Sequence, residues 1–216
     1  MSRFPKRIRV ISFDLDGTLV DFSFADAVWF HGMSKLLSQT EGVSQEIAQK
    51  ILINMYNQIG EEDVRWYKLD FWFKELGIPG SPRELLLKHK HLVKPYPETQ
   101  NVLKQLASKF KLVLLSNASR EFLEIEIEEA GIKTYFSRII STVSDLGEAK
   151  SPGVFKEICR IFNVDADEVI HVGDHKKFDH IIPSSIGMNT LLISRHNRLN
   201  DKSILNLKEL LYLLKP

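Results

Sequence analysis

The stretch FDLDGTLV, residues 13–20, places two carboxylates at the end of an apolar run. Asp14 and Asp16 lie two positions apart and are followed at once by Gly17. Because like charges at this spacing raise each other's cost of ionisation, we expect either a countercharge or a chemical use. Gly17 allows the sharp turn that keeps the chain beside the two acids. The stretch therefore predicts a buried strand that ends in a polar, functional loop.

The composition is typical of a globular protein. Of the 216 residues, 44% are hydrophobic and 26% are charged, and the formal net charge is +1. This balance gives no reason to expect binding to nucleic acid or to an acidic membrane. The single cysteine, Cys159, is predicted to be buried, and it fits a reducing compartment because it has no partner for an internal disulfide. No apolar run approaches the roughly 20 residues of a membrane span. The basic N-terminus lacks the apolar stretch of a secretory signal, so we expect a soluble, cytoplasmic protein.

Apolar runs and helical patterns alternate along most of the chain. The runs are near-continuous, which is typical of a parallel sheet covered on both faces. The predicted strands are residues 8–14, 111–116, 138–142, 168–172 and 189–194. The predicted helices that accompany them are residues 97–110, 120–131, 151–164 and 203–214. This alternation favours the α/β class, with a doubly wound, mainly parallel, Rossmann-like sheet.

Residues 21–95 interrupt the alternation. Apolar side chains recur there every four residues, at Ile47, Ile51, Met55 and Ile59, which favours helix over strand. The stretch Pro95-Tyr96-Pro97 marks the return to the sheet. We therefore predict an α/β core from residues 1–20 and 96–216, and an inserted all-helical domain from residues 21–95.

Aromatic residues are concentrated in this insert. Helical spacing predicts that its core contains Trp66, Leu69, Phe73 and Leu76. Three further rings leave this stripe, namely Tyr67, Phe71 and Trp72. We expect them to pack in the core of the insert, to seal the insert onto the sheet, or to contact the organic part of a substrate.

Polar residues follow the predicted strands where a ligand would bind. In an open α/β sheet, ligands bind at the carboxyl ends of the strands. The residues found there are Asp14, Asp16, Ser116, Asn117, Lys150, Asp174 and Asp179. Clustered carboxylates bind a hard cation such as Mg²⁺ through oxygen, and a lysine and a hydroxyl beside the metal would hold a phosphate. His171, inside a strand, is predicted to be a packed strand residue.

In order and spacing, these residues resemble the four motifs of the haloacid dehalogenase-like superfamily. The motifs are Asp14 to Leu19, then Ser116-Asn117, then Lys150, and then Gly173-Asp174 with Asp179. The resemblance covers the whole predicted α/β part. The helical insert resembles the cap of the branch whose cap lies between the first and second motifs.

The resemblance implies a role for each acid. Asp14 would attack phosphorus and form an aspartyl-phosphate. Asp16 would protonate the leaving oxygen and then activate the hydrolytic water. Mg²⁺ would be held by the Asp14 carboxylate, the Asp16 backbone carbonyl and Asp174. Asp179 would lie behind them or bind the metal through water.

The resemblance also implies a phosphate site, in which Ser116, backbone amides near Asn117, and Lys150 take the phosphoryl oxygens. Because a halide leaves without a proton, an acid at position 16 favours cleavage of a P–O bond over dehalogenation. We therefore expect a Mg²⁺-dependent phosphatase that acts on a small-molecule phosphate ester. The alternatives are a phosphomutase on a sugar phosphate, a 2-haloacid dehalogenase, and a non-catalytic phosphate-sensing module. The sequence carries no feature that sets an oligomeric state.

Overall fold

A computed structural model describes residues 7–199 and 203–214. Within them, six strands form one sheet in the order β3-β2-β1-β4-β5-β6, and each neighbouring pair is parallel. The strands are β1 Val10–Phe13, β2 Lys111–Ser116, β3 Arg138–Ser141, β4 Val169–Gly173, β5 Asn189–Ile193 and β6 Ser203–Ile204. The predicted α/β, Rossmann-like fold is confirmed. Because β2 and β4 flank β1, the chain reverses direction across the sheet at β1, where such folds bind ligands.

Helices cover both faces of the sheet. They are α6 Thr99–Ala107, α7 Arg120–Glu129, α8 Pro152–Phe162, α9 Ile182–Ser185 and α10 Lys208–Leu213. Ile11 and Phe13 of β1 belong to one core together with residues of α6, α7 and α10. Val10 belongs to a second core with residues of α8. Both faces of β1 are therefore dry, which explains its continuous apolar sequence.

Short helical turns complete the connections. The 3₁₀ turns are Lys133–Tyr135 and Ala166–Glu168, and the π-helical turns are Thr142–Leu146 and Lys176–Ile181. The prediction of one helix over residues 203–214 was wrong at its start, because Ser203 and Ile204 pair with β5 and are fully buried. Periodicity alone does not distinguish so short an apolar strand from a helix. Cys159 is half-buried rather than buried.

The segment between β1 and α6 is helical. Its α-helices are α1 Ser23–Asp26, α2 Met33–Glu41, α3 Gln45–Ile59, α4 Leu69–Glu75 and α5 Pro82–His89. A π-helical turn, Ala27–Gly32, and two 3₁₀ turns, Val64–Tyr67 and Lys90–Leu92, connect them. These helices share a hydrophobic core that also takes in Phe122 and Ile125 of α7. None of the described helices is long and apolar enough to cross a membrane.

The helical phase breaks in the aromatic part of this segment. Trp72 is fully buried and donates its indole hydrogen bond to the Trp66 carbonyl oxygen, at 3.0 Å. Trp66 is only partly buried. The prediction had placed Trp66 on the core stripe and Trp72 off it. The order is reversed because a 3₁₀ turn ends at Tyr67 and α4 begins at Leu69, so the spacing of a continuous α-helix does not hold across them.

Candidate active site

The loop after β1 holds Asp14 and Asp16. The backbone N–H of Asp14 donates to the Val172 carbonyl oxygen at 2.9 Å, which ties the start of the loop to β4. Gly17 has a φ of +71°, and a Cβ there would lie 2.3 Å from Oδ2 of Asp174. Only glycine fits this conformation and this contact. The turn anticipated from the sequence therefore brings the first acidic pair against a third acid.

Lys150 lies at the centre of the site. Its Nζ donates to Oδ1 of Asp14 at 2.5 Å and to Oδ1 of Asp179 at 2.6 Å, and the residue is 4% exposed. Burial opposes its positive charge, but the two carboxylates outweigh burial and raise the pKa of Lys150 above its ordinary value. The lysine is therefore a fixed cation beside Asp14.

Asp179 is fully buried and surrounded by donors. Besides Lys150, its carboxylate receives hydrogen bonds from His171 Nε2 and from the His175 backbone N–H, both at 2.9 Å. Burial would raise the pKa of Asp179, but Lys150 and His171 outweigh it and hold that pKa well below its usual range. A Cβ on Gly173 would lie 2.2 Å from Cγ of Asp179. Protein groups thus fix both oxygens of this acid.

His171 is packed in β4 as predicted, since it is fully buried. It also makes a contact that sequence reasoning did not foresee. One ring nitrogen contacts Asp179 and the other contacts Oγ of Ser12 at 3.0 Å. Burial lowers the pKa of His171, although the hydrogen bond to Asp179 opposes this change. The residue therefore orients Asp179 from inside the sheet.

The remaining acids have too little countercharge. Burial raises the pKa of Asp14 well above its usual value; Lys150 opposes this change only in part, and Asp179 and Asp174 add to it. Burial raises the pKa of Asp174 to about 7 and that of Asp16 to about 6. Oδ1 of Asp16 is buried without a hydrogen-bond partner among the described residues. Carboxylates buried in this way need a further cation or a proton.

The same acids fit a divalent cation. Asp14, Asp174 and Asp179 each offer one oxygen, and these three oxygens lie within 4.8 Å of one another. An all-carboxylate set suits a hard cation that prefers oxygen ligands. The orphaned oxygen of Asp16 and the raised pKa values are consistent with a missing positive charge. The site could therefore hold a metal ion.

Ser116 and Asn117 lie at the end of β2. Oγ of Ser116 accepts a hydrogen bond from the Ala118 N–H at 3.0 Å. The side-chain oxygen of Asn117 accepts from Thr142 Oγ1 at 2.7 Å and from the Lys150 N–H at 2.8 Å. Its amide donates to the Tyr67 hydroxyl at 3.0 Å. Asn117 thus connects the loop of Lys150 with the helical segment.

A cavity of about 330 Å³ opens above these groups. The structure brings together on its wall all seven residues selected from the sequence, namely Asp14, Asp16, Ser116, Asn117, Lys150, Asp174 and Asp179. The helical segment contributes further lining residues, which include Phe22, Trp29, Phe30, Tyr56, Trp66 and Tyr67. A ligand in this cavity would contact both carboxylates and rings.

Sequence reasoning missed Glu126. This residue of α7 is fully buried, and neither of its carboxyl oxygens has a donor among the described residues. Burial and the adjacent Asp16 raise the pKa of Glu126 well above its usual value. If protonated, the Glu126 carboxyl would offer a donor to the adjacent Asp16. The available signal was its position four residues after Phe122, on the buried face of a helix.

It also missed Arg195, which supports the loop after β1. Its guanidinium donates to the carbonyl oxygens of Gly17 at 3.3 Å and Thr18 at 2.6 Å. It also donates to Oε1 of Glu98 at 2.8 Å and lies 3.1 Å from the centroid of the Tyr96 ring. No local pattern marks this residue, because its partners lie about a hundred or more positions earlier in the chain.

Comparison with known proteins identifies the family of the chain. The model of the haloacid dehalogenase-like hydrolase family matches residues 8–179. The chain therefore belongs to the haloacid dehalogenase-like hydrolases. A crystal structure titled as a HAD phosphatase from Thermococcus onnurineus superposes with a TM-score of 0.85, at 23% identity, over 96% of this chain and 98% of that one. At this identity the likeness shows the fold.

Two curated relatives have a similarly low identity to this chain and carry specific names. The GMP/IMP nucleotidase YrfG of Escherichia coli is 24% identical over 136 residues, which are 62% of this chain and 60% of the relative's length. The glyceraldehyde 3-phosphate phosphatase of Pyrococcus abyssi is 26% identical over 200 residues, covering 85% of this chain and 80% of the relative. The match thus spans about three fifths of the first relative and most of the second.

Proposed function

We propose that the chain is a Mg²⁺-dependent phosphatase that hydrolyses a small phosphorylated metabolite through an aspartyl-phosphate on Asp14. The observation that carries this proposal is the 2.5 Å contact between Lys150 and Asp14 in a cavity also lined by Asp16 and Asp174. A fixed cation there would hold a phosphoryl group against the attacking carboxylate. The phosphatase names of several relatives also support it.

Asp14 would attack phosphorus, and the bond to the alcohol oxygen would break. Asp16 would give a proton to that leaving oxygen and then take one from the water that attacks the aspartyl-phosphate. Burial raises the pKa of Asp16 to about 6, which lets the group hold and release a proton near neutral pH. Ser116 and Lys150 would hold the phosphoryl oxygens during both steps.

The metal would be held by the carboxylates of Asp14 and Asp174 and by the backbone carbonyl of Asp16, with Asp179 behind them. Bound Mg²⁺ would neutralise the negative charge of the phosphate as it approaches the carboxylates. Without that charge, the buried acids repel an anionic substrate.

We also propose that residues 21–95 act as a helical cap over a core made of residues 1–20 and 96–216. The cap would exclude bulk water while the phosphoryl group is transferred. The hydrogen bond between Tyr67 and Asn117 supports a direct connection between the two parts.

A screen of phosphate release from phosphorylated metabolites, in Mg²⁺ and in EDTA, tests the function. The panel includes GMP, glyceraldehyde 3-phosphate and phosphoglycolate, which the names of relatives suggest. We expect release from at least one ester in Mg²⁺ and loss of that release in EDTA. No release from any ester would contradict the proposal. An isomerised sugar phosphate without free phosphate would favour a phosphomutase, and chloride release from a 2-haloacid in EDTA would favour a dehalogenase.

A further inference from the structure

Part of the lining of the cavity that holds the carboxylates is a connected group of rings. The ring centroids of Trp29 and Trp66 lie 5.8 Å apart, those of Trp29 and Tyr56 lie 5.9 Å apart, and those of Trp66 and Tyr67 lie 4.9 Å apart. Trp29, Trp66 and Tyr67 are partly exposed, and all four residues line the cavity. We call these four residues the aromatic wall. Such rings favour contact with an apolar or aromatic group.

The charges at the aromatic wall are negative. Asp26 and Glu61 line the cavity on this side, and both are exposed. Oε2 of Glu61 lies 3.3 Å from Nε2 of His175, where both side chains are nearly half exposed. An anionic group placed here would meet two carboxylates.

The basic side chains near the wall already have acidic partners. Of the described residues that line the cavity, only Lys150 and His175 are basic. Lys150 is engaged by Asp14 and Asp179, and His175 faces Glu61. Arg65 holds Asp63 through several hydrogen bonds and does not line the cavity. An anionic organic group would therefore be desolvated without a partner, which is costly.

Resting on the proposed phosphatase function, we propose that this site selects phosphate monoesters whose organic part is aromatic and carries no negative charge. The aromatic wall would stack on that part, while Asp26 and Glu61 would repel a carboxylate or a second phosphate. A positively charged substituent would be tolerated, because rings and carboxylates both attract cations. The volume of about 330 Å³ is within the range of small-molecule sites.

Three benzyl phosphates that differ only at the para position test the charge rule. They are benzyl phosphate, 4-(aminomethyl)benzyl phosphate and 4-carboxybenzyl phosphate, whose remote substituents change the leaving oxygen little. In Mg²⁺, we expect kcat/KM for the carboxyl compound to be at least about 10-fold below that of benzyl phosphate, and the amine to stay within a few-fold. Ethyl phosphate, which lacks the ring, should also be at least about 10-fold poorer than benzyl phosphate.

A matched pair of variants tests the residue assignment. Glu61→Gln should reduce, by several-fold, the ratio of kcat/KM for benzyl phosphate to kcat/KM for 4-carboxybenzyl phosphate. Glu62→Gln is the control, because Glu62 pairs with Lys177 and does not line the cavity. It should leave that ratio unchanged. An equal reduction in both variants would overturn the role of Glu61.

The outcomes separate the two proposals. Equal kcat/KM for the three benzyl compounds would overturn the charge rule and leave the phosphatase function in place. Hydrolysis of metabolites but of no benzyl ester, or equal hydrolysis of ethyl and benzyl phosphate, would overturn the aromatic preference. No phosphate release from any compound in either panel would overturn the phosphatase function, and the selectivity proposal with it.

Discussion

The two walls of the cavity are built in different ways. The polar wall consists of residues at the ends of several strands and in the loops that follow them, namely Asp14, Asp16, Ser116, Asn117, Lys150, Asp174 and Asp179. Within it, Lys150 forms hydrogen bonds with Asp14 and Asp179. The aromatic wall comes from one stretch, residues 29–67, and is held by ring packing. The parallel sheet fixes the positions of the reactive groups, whereas one inserted segment supplies the rings. Changes in the first wall should therefore abolish chemistry, and changes in the second should alter selectivity and stability.

The largest effect is expected at Asp14. Asp14→Asn removes the proposed nucleophile, so kcat should fall by on the order of 10⁴-fold or more. The measurement is phosphate release from a chromogenic monoester in Mg²⁺. Asp70→Asn, an exposed position on α4, is the control and should keep full activity. Full activity of Asp14→Asn would remove Asp14 from the mechanism.

The effect of Asp16→Asn should depend on the leaving group of the substrate. It removes the proton donor, so kcat/KM should fall about 10²- to 10⁴-fold for alkyl phosphates. The loss should be smaller for aryl phosphates, because an acidic phenol leaves as its anion and does not need a proton. The measurement is kcat/KM across a series of leaving groups, since kcat also includes hydrolysis of the common aspartyl-phosphate. A uniform loss across the series would count against the general-acid role.

Metal removal should make stability depend on pH. The pKa values of Asp16 and Asp174 are raised from 3.8 to about 6 and about 7. The folded state then binds more protons than the unfolded state between pH 3.8 and these raised values. The free energy of unfolding in EDTA should therefore fall as pH rises from about 4 to about 7, by on the order of a few kcal/mol. Urea denaturation at several pH values measures this.

Mg²⁺ should oppose this fall, because it binds the ionised carboxylates and stabilises the folded state more at high pH. Asp174→Asn is the matched control, since it removes one proposed ligand and one raised pKa together. It should weaken both the pH dependence in EDTA and the response to Mg²⁺. A free energy of unfolding that rises with pH in EDTA would contradict the assignment of these buried acids.

Glu126 should influence catalysis through its neighbour Asp16. Glu126→Leu removes the carboxyl group beside Asp16, and we expect kcat to fall about 10-fold. Glu126→Gln keeps a donor at the same place and should retain most activity. The two variants are compared by pH–rate profile and by urea denaturation. Equal activity of both variants would show that Asp16 does not need this donor.

The smallest effect is expected where the two walls meet. Tyr67→Phe removes the hydroxyl that accepts from Asn117 and donates to the Glu61 carbonyl oxygen at 2.8 Å. The free energy of unfolding should fall by about 1 kcal/mol. KM should rise more than kcat falls, because the reactive acids are untouched. A fall in kcat as large as that of Asp16→Asn would mean that this hydrogen bond supports the chemistry itself.

Part of the site could be predicted because its residues follow strands. Apolar runs mark the strands, and the first polar residues after them must lie at one edge if the strands are parallel. This reasoning found Asp14, Ser116 and Asp174 together with their neighbours. Lys150 was selected in the same way, although it lies several residues beyond the end of β3, and its place in the order of motifs strengthened the choice.

Other features could not be predicted, because they depend on contacts between distant segments. Glu126 lies on a helix that would suit a surface acid equally well, and only the packing of α7 against the first loop buries it. Arg195 reaches Gly17 and Thr18 across the end of the sheet. The greater burial of Trp72 than of Trp66 does not follow from helical spacing, because a 3₁₀ turn shifts the helical phase between them.

The sequence by itself determined the α/β fold, the edge of the sheet where the acids meet, and the family to which the chain belongs. These features follow from local patterns, because the apolar runs of the strands and the order of the polar residues after them are visible in the sequence itself. Only the tertiary structure decided which rings line the cavity with the acids, that the basic side chains near them are already paired, and that Glu126 lies beside Asp16. Those properties arise from long-range packing, in which the partners of a side chain are not its neighbours in the chain.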